Sequence, residues 1–252
     1  MRCVLFTKPK PVTLSLLKHM VESGDEVEAV ILYGAERYID TPLVAYAREH
    51  AVPIVDFVVC DEFFDRFSVR ELDAIWCCTF PRLIREEWIG KADVAVNFHG
   101  APLPEYRGVF AYNFAILNGD DVFGVTAHLM NGSFDTGDIV EVERFSYDCA
   151  SGSVAELVAL SDEHILALFR RVHEQLKQNG CLTAVPQDLS CGHYYSRDDF
   201  EEAKRIPPGA SAADVERRIR AFWYPPYEGA YREVEGERFY PVTREILREL
   251  GQ

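Results

Sequence analysis

Apolar positions along this chain fall into blocks that switch between the two-residue period of a strand and the 3.6-residue period of a helix. Cys3 to Phe6 is continuously apolar and reads as a buried strand, and a proline-bounded loop leads from it into Thr13 to Glu22, which suits a helix. Glu26 to Leu32 reads as a strand, Pro42 to Glu49 as a helix, and Pro53 to Phe57 as another short apolar run. Leu72 to Cys78 and Asp93 to Asn97 read as strands covered on both faces, the kind that belongs to parallel sheets. Gly124 to Met130 and Asp138 to Phe145 alternate like strands on either side of the turn-rich segment Asn131 to Gly137. Val154 to Gln178 has the apolar spacing of one long helix, with Gly180 just past its end.

After Pro186 the character changes. A helix is predicted over Ala212 to Phe222, with Ser211 as N-cap and Asp214 three residues on. Ala230 to Val234 and Arg238 to Val242 flank Glu235-Gly236-Glu237 as a hairpin. The pattern therefore predicts an α/β main domain over residues 1–185 and a small C-terminal α+β module over 186–252.

Composition narrows the function without changing that picture. The 252 residues are 48% hydrophobic and 27% charged, enough apolar content to fill a real core. With 26 Lys and Arg against 41 Asp and Glu, the net charge of -15 opposes a nucleic-acid surface. The seven cysteines are odd in number and contain no C-x-x-C pair, so neither a disulfide framework nor a zinc ribbon is expected. No stretch approaches the ~18 apolar residues of a spanning helix, and the first residues are too short an apolar run for a signal peptide. A cytoplasmic protein without membrane, nucleic-acid or metal partners is the expectation.

The chemistry concentrates in two stretches. Asn97-Phe-His-Gly-Ala-Pro-Leu-Pro-Glu-Tyr-Arg-Gly108 directly follows a buried strand, where open α/β sheets put their ligands. Gly124-Val-Thr-Ala-His-Leu-Met-Asn-Gly-Ser-Phe-Asp135 then supplies a carboxylate on a turn. Asn97, His99 and Asp135 together offer an amide donor, a base that titrates near neutrality and a carboxylate to orient it. That set suits acyl transfer to an amine. His128, mid-strand, reads as a packed or supporting histidine rather than a second base.

These residues resemble the folate-dependent formyltransferases, whose pattern runs N-x-H-P-S-L-L-P-x-Y-R-G, then G-V-T-x-H and D-x-G-x-I. The chain matches at Asn97, His99, Leu103, Pro104, Tyr106, Arg107 and Gly108, then at Gly124, Val125, Thr126 and His128, and at Asp135, Gly137 and Ile139. It departs at Gly100-Ala101-Pro102, beside the reacting centre. The resemblance implies a Rossmann-like, mostly parallel sheet, 10-formyltetrahydrofolate as donor, and catalysis by Asn97, His99 and Asp135. It also implies that two loops hold the pterin, with Cys78, Phe80, Arg82, Leu83 and Ile84 in one and Asn131, Gly132 and Phe134 in the other.

The tail, with His193-Tyr-Tyr-Ser-Arg and Arg220-Ala-Phe-Trp-Tyr-Pro-Pro, looks like the segment after the core in nucleotide-linked amino-sugar N-formyltransferases. That likeness implies a nucleotide amino sugar as acceptor, dTDP-linked ahead of GDP- or UDP-linked, a place in surface-glycan (O-antigen) biosynthesis, and a homodimer. Tyr106, Arg107, Tyr195, Arg220, Trp223 and Tyr224 are the candidate acceptor-binding residues; the aromatic faces could stack on a base and Arg220 could assist a pyrophosphate. Formylation of another small amine such as hydroxyornithine, or hydrolysis of the formyl folate, are the alternatives. An acidic chain with only about sixty residues after the core disfavours methionyl-tRNA.

Overall fold

A computed structural model describes residues 1–251. Its centre is a seven-stranded sheet built from β1 (Arg2–Thr7), β2 (Glu26–Leu32), β3 (Ile54–Asp56), β4 (Leu72–Cys78), β5 (Ala92–His99), β7 (Val122–Leu129) and β8 (Ile139–Ser146). The order is β3-β2-β1-β4-β5-β7-β8, parallel from β3 through β5 and antiparallel for the last two strands.

The continuous apolar runs are explained by two-sided burial. In β4, Ala74, Trp76 and Cys78 enter the core under α1 (Pro11–Glu22), α2 (Pro42–Glu49) and the long α6 (Val154–Asn179). Ile75 and Cys77 face the opposite core, with Phe63 and Phe64 of α3 (Cys60–Phe64) and Trp88 of α4 (Glu86–Ile89). A strand with side chains alternating between two packed layers has no polar face. Ser153 and Glu156 close a capping box at the start of α6, and Gly180, at φ 68°, ends it.

The strand bounds lie within about two residues of those the pattern predicts, and β2, α2, β4 and α8 (Ala212–Phe222) coincide with it. The hairpin is shorter than predicted: β10 (Arg232–Val234) and β11 (Glu237–Phe239) meet across Glu235 and Gly236, both at positive φ, which matches the strand twist.

The residues after 186 share a core with the main sheet. Ile206, Ala221, Phe222 and Ala230 pack with Ala115, Ile116, Phe123 and Leu157, drawing in α5 (Ala111–Asn118). Asn113 of α5 donates to the Ala221 carbonyl at 2.6 Å. The short β6 (Tyr106–Gly108) pairs in parallel with β9 (His193–Tyr195), which tethers the start of the tail directly beside the residues of interest. Helix α7 (Arg197–Lys204) follows, and α9 (Arg244–Glu249) closes the chain.

Candidate active site

Asn97 and His99 stand two apart at the carboxyl end of β5 and so share one face of the sheet. Antiparallel pairing sets His128 of β7 opposite Asn97. His128 Nδ1 lies 2.9 Å from the Leu129 carbonyl, so that nitrogen carries the proton and Nε2 presents a lone pair. The Asn97 amide nitrogen donates to this lone pair at 3.0 Å. One N–H of Asn97 is thereby pinned, and the other is aimed by the same contact.

Asp135 enters from the loop between β7 and β8, held in left-handed backbone at φ 54°. Its Oδ2 accepts from the Gly108 N–H at 3.0 Å, while Oδ1 stands 3.4 Å from His99 Nδ1 and 3.7 Å from His128 Nε2. His99 Nε2 in turn lies 2.8 Å from the Tyr106 carbonyl. Both His99 nitrogens therefore face oxygen atoms, which fix the plane of the ring. Asp135 is only 8% exposed. Burial alone would push its carboxyl up, but the neighbouring His99 and the Gly108 N–H outweigh it and hold the carboxyl at about 2. Asp135 is a fixed negative charge under His99.

The segment β6 therefore orients two of the three residues, through the Tyr106 carbonyl and the Gly108 amide. Tyr106 itself is buried, its phenol engaged by Asp120 and by the Asn118 amide at 2.8 Å. Tyr195 of β9 stacks on Tyr106 with ring centres 5.5 Å apart and on Phe114 at 4.0 Å.

The two loops expected to hold a pterin lie on the same side of the sheet. Phe80 packs edge-on against Phe6 at 5.2 Å, and the Cys78 and Ile84 side chains are buried in the core, so what those two offer a ligand is backbone. Leu83 and Phe134 are exposed; Arg82 lies over the Tyr33 ring. Asn131 accepts from Ser133 N and from the Thr136 hydroxyl, both at 3.0 Å, and so shapes its own loop, while Gly132 lies against Glu86.

Of the acceptor candidates, Arg107 donates to the Leu189 carbonyl at 3.2 Å, and Tyr224 stacks parallel to Tyr227 at 6.1 Å. Trp223 is half-buried. Arg220 is committed elsewhere: its guanidinium donates to the carbonyls of Cys149, Ala150 and Gly152 and pairs with Glu216. It clamps the turn before α6.

A second polar group gathers on the other face of the sheet, at the same end. Tyr112 of α5, Ser161 and Asp162 of α6, Lys10 before α1 and Tyr224 after α8 lie near enough to sense one another's charge. Ser161 Oγ and Asp162 Oδ1 are buried with no hydrogen-bond partner among the described residues. Burial pushes the Asp162 carboxyl up, with Lys10 opposing. Tyr224 apart, the sequence pattern does not single out this group, because four separate segments supply it and only the fold unites them. Among the described residues, no His, Cys, Asp and Glu group could hold a metal ion, and no helix is long and apolar enough to cross a membrane.

Comparison with known proteins gives this geometry a context. Residues 59–156 match the formyl transferase family. The methionyl-tRNA formyltransferase of Sphingopyxis alaskensis is 28% identical over 97% of this chain and 80% of its own length. The GDP-perosamine N-formyltransferase of Brucella melitensis is 29% identical over 75% of this chain and 72% of its own. An N-formyltransferase from Helicobacter canadensis, solved with folinic acid and dTDP-3-aminofucose, superposes with a TM-score of 0.77 at 20% identity, over 95% of this chain and 86% of that one. The matched segment carries both Asn97 and Asp135, so residues 59–156 form a formyl transferase domain.

Proposed function

We propose that this protein transfers the formyl group of 10-formyltetrahydrofolate to the amine of a nucleotide-linked amino deoxysugar, as a cytoplasmic homodimer serving surface-glycan synthesis. The observation that carries the reading is the joint geometry of Asn97, His99 and Asp135. An amide N–H and an imidazole stand together where the formyl group and the attacking amine would meet, above a buried carboxylate that orients the ring.

The donor supplies the activated formyl group. The second N–H of Asn97 stabilises the charge that grows on the formyl oxygen as the amine nitrogen bonds to the carbon. Asp135 sets the His99 orientation, and the His99 imidazole moves the proton the amine sheds, which ends on the departing folate nitrogen. The loops around 78–84 and 131–136 supply backbone groups for the pterin, and the Tyr112, Asp162 and Tyr224 side of the sheet takes the acceptor.

Two features support a sugar over methionyl-tRNA. The net charge of -15 disfavours a polyanion, and the solved Helicobacter canadensis protein, complexed with a nucleotide amino sugar, matches this chain nearly end to end. Of the candidate nucleotides, we place dTDP first. The test follows tetrahydrofolate formation with dTDP-, GDP- and UDP-linked amino sugars, hydroxyornithine, methionyl-tRNA and no acceptor. Turnover with a nucleotide amino sugar, lowered ~10²-fold or more in His99→Asn, is the expected result. Turnover only with tRNA, only with hydroxyornithine or without any acceptor would overturn the acceptor assignment.

A further inference from the structure

The residue after His99 is a glycine for a reason that lies in another helix. A Cβ built on Gly100 would fall on the Tyr112 hydroxyl and within 2.9 Å of its ring carbon Cζ. Gly100 is not in left-handed backbone, so its missing side chain reflects space and not backbone conformation. The phenol fills the place any other side chain would take, one residue from the reacting centre.

That phenol is placed chiefly by the packing of its ring. Tyr112 is partly exposed, and its hydroxyl is close enough to the Ser161 hydroxyl to interact with it. Its ring packs on Phe123 with centres 5.6 Å apart, which fixes the direction in which the hydroxyl points. Beside it, Ser161 Oγ and Asp162 Oδ1 are buried and unpartnered. A buried polar atom without a partner costs about 1–3 kcal/mol, and two such atoms side by side at one end of a sheet call for a ligand to satisfy them.

We propose that Tyr112 and Asp162 are specificity-determining residues that read a hydroxyl group adjacent to the acceptor's amine. The acceptor hydroxyl donates to the free Asp162 oxygen and is met by the Tyr112 hydroxyl, while the amine reaches His99 past the bare Cα of Gly100. The inference rests on the acceptor reading above and narrows it: an amine with no neighbouring hydroxyl is a poor substrate. The raised carboxyl of Asp162 is consistent with an oxygen that lacks a partner until the acceptor arrives.

The test uses the full chain, the nucleotide amino sugar that wild type turns over, and its analogue lacking the hydroxyl next to the amine. Tyr112→Phe keeps the ring and its packing, so folding is preserved. It should raise the acceptor KM about tenfold or more and leave the KM for 10-formyltetrahydrofolate unchanged. Wild type should discriminate strongly against the deoxy analogue, and Tyr112→Phe and Asp162→Asn should each discriminate less. Gly100→Ala alone should impair turnover, and Tyr112→Ala in the same chain should restore part of it, since the clash is then gone. An unchanged acceptor KM in Tyr112→Phe, or equal discrimination in wild type and both variants, overturns the inference while leaving the function standing. Silence of wild type with every nucleotide amino sugar overturns the function instead.

Discussion

Asn97 donates to His128 across the antiparallel pair of β5 and β7, with 3.0 Å between the amide nitrogen and Nε2. The acceptor nitrogen is available only because the other one, Nδ1, donates to the Leu129 carbonyl. A histidine that takes no part in the reaction thus decides where the amide's second hydrogen points. Replacing it tests that claim. His128→Phe keeps the bulk but removes the lone pair, leaving Asn97 free to turn, and kcat should fall by about tenfold or more with smaller changes in either KM. A steady-state comparison with wild type checks it, and an unchanged kcat would mean that Asn97 is held by something else.

The same hydrogen-bond chain explains Gly137. A Cβ there would collide with the Leu129 carbonyl and stand 3.5 Å from His128 Nδ1. Gly137→Ala must push the carbonyl off the ring, so it should destabilise the fold by about 1–3 kcal/mol and lower kcat with it. Urea denaturation together with kinetics reads both effects. A variant that loses stability but keeps full kcat would separate the glycine from the site.

Asp135 gives the protein an acid-sensitive contribution with a definite sign. Its folded-state carboxyl sits at about 2 against an ordinary 3.8, so the folded form binds this proton less readily than the unfolded form. The stabilisation is fully present above about pH 4 and is lost as the pH falls toward 2; at neutral pH it amounts to about 2 kcal/mol. Chemical denaturation of wild type and Asp135→Asn at a series of pH values should show a stability gap that narrows from pH 5 to pH 2. A gap that stays constant over that range would show that the carboxylate's charge contributes nothing to folding.

How much of this was readable beforehand depended on whether the cause was local. Leu72–Cys78 was legible as a strand because burial on both faces leaves an unbroken apolar run, and Ala212–Phe222 as a helix because Ser211 and Asp214 cap it locally. Helix α5, Ala111–Asn118, escaped notice because its apolar residues favour no single face: it is packed on several sides. The pairing of β6 with β9 joins two three-residue segments far apart in sequence, and neither carries a strand signal alone. The Tyr112 and Asp162 cluster was invisible for the same reason. Asn97, His99 and Asp135 were legible as chemistry, but that a carbonyl of Tyr106 and an amide of Gly108 hold two of them is a fact of the backbone, which side-chain patterns do not carry.

Arg220 separates the sequence pattern from the structure most sharply. Its neighbours in the chain, Trp223 and Tyr224, made a pyrophosphate contact the natural expectation, yet its guanidinium is spent on carbonyls of Cys149, Ala150 and Gly152, at the turn that launches α6. The side chain is largely buried there, 13% exposed, and loss of several charge-assisted hydrogen bonds leaves those carbonyls without donors. Arg220→Ala should therefore destabilise the protein by about 2–3 kcal/mol in urea denaturation, while the acceptor KM, measured well below the melting temperature, changes less than about twofold. Arg220→Lys restores the charge but not the fork that spans three carbonyls, so it should recover only part of the stability. The opposite result, a stable Arg220→Ala protein with a strongly raised acceptor KM, would return this arginine to the binding site.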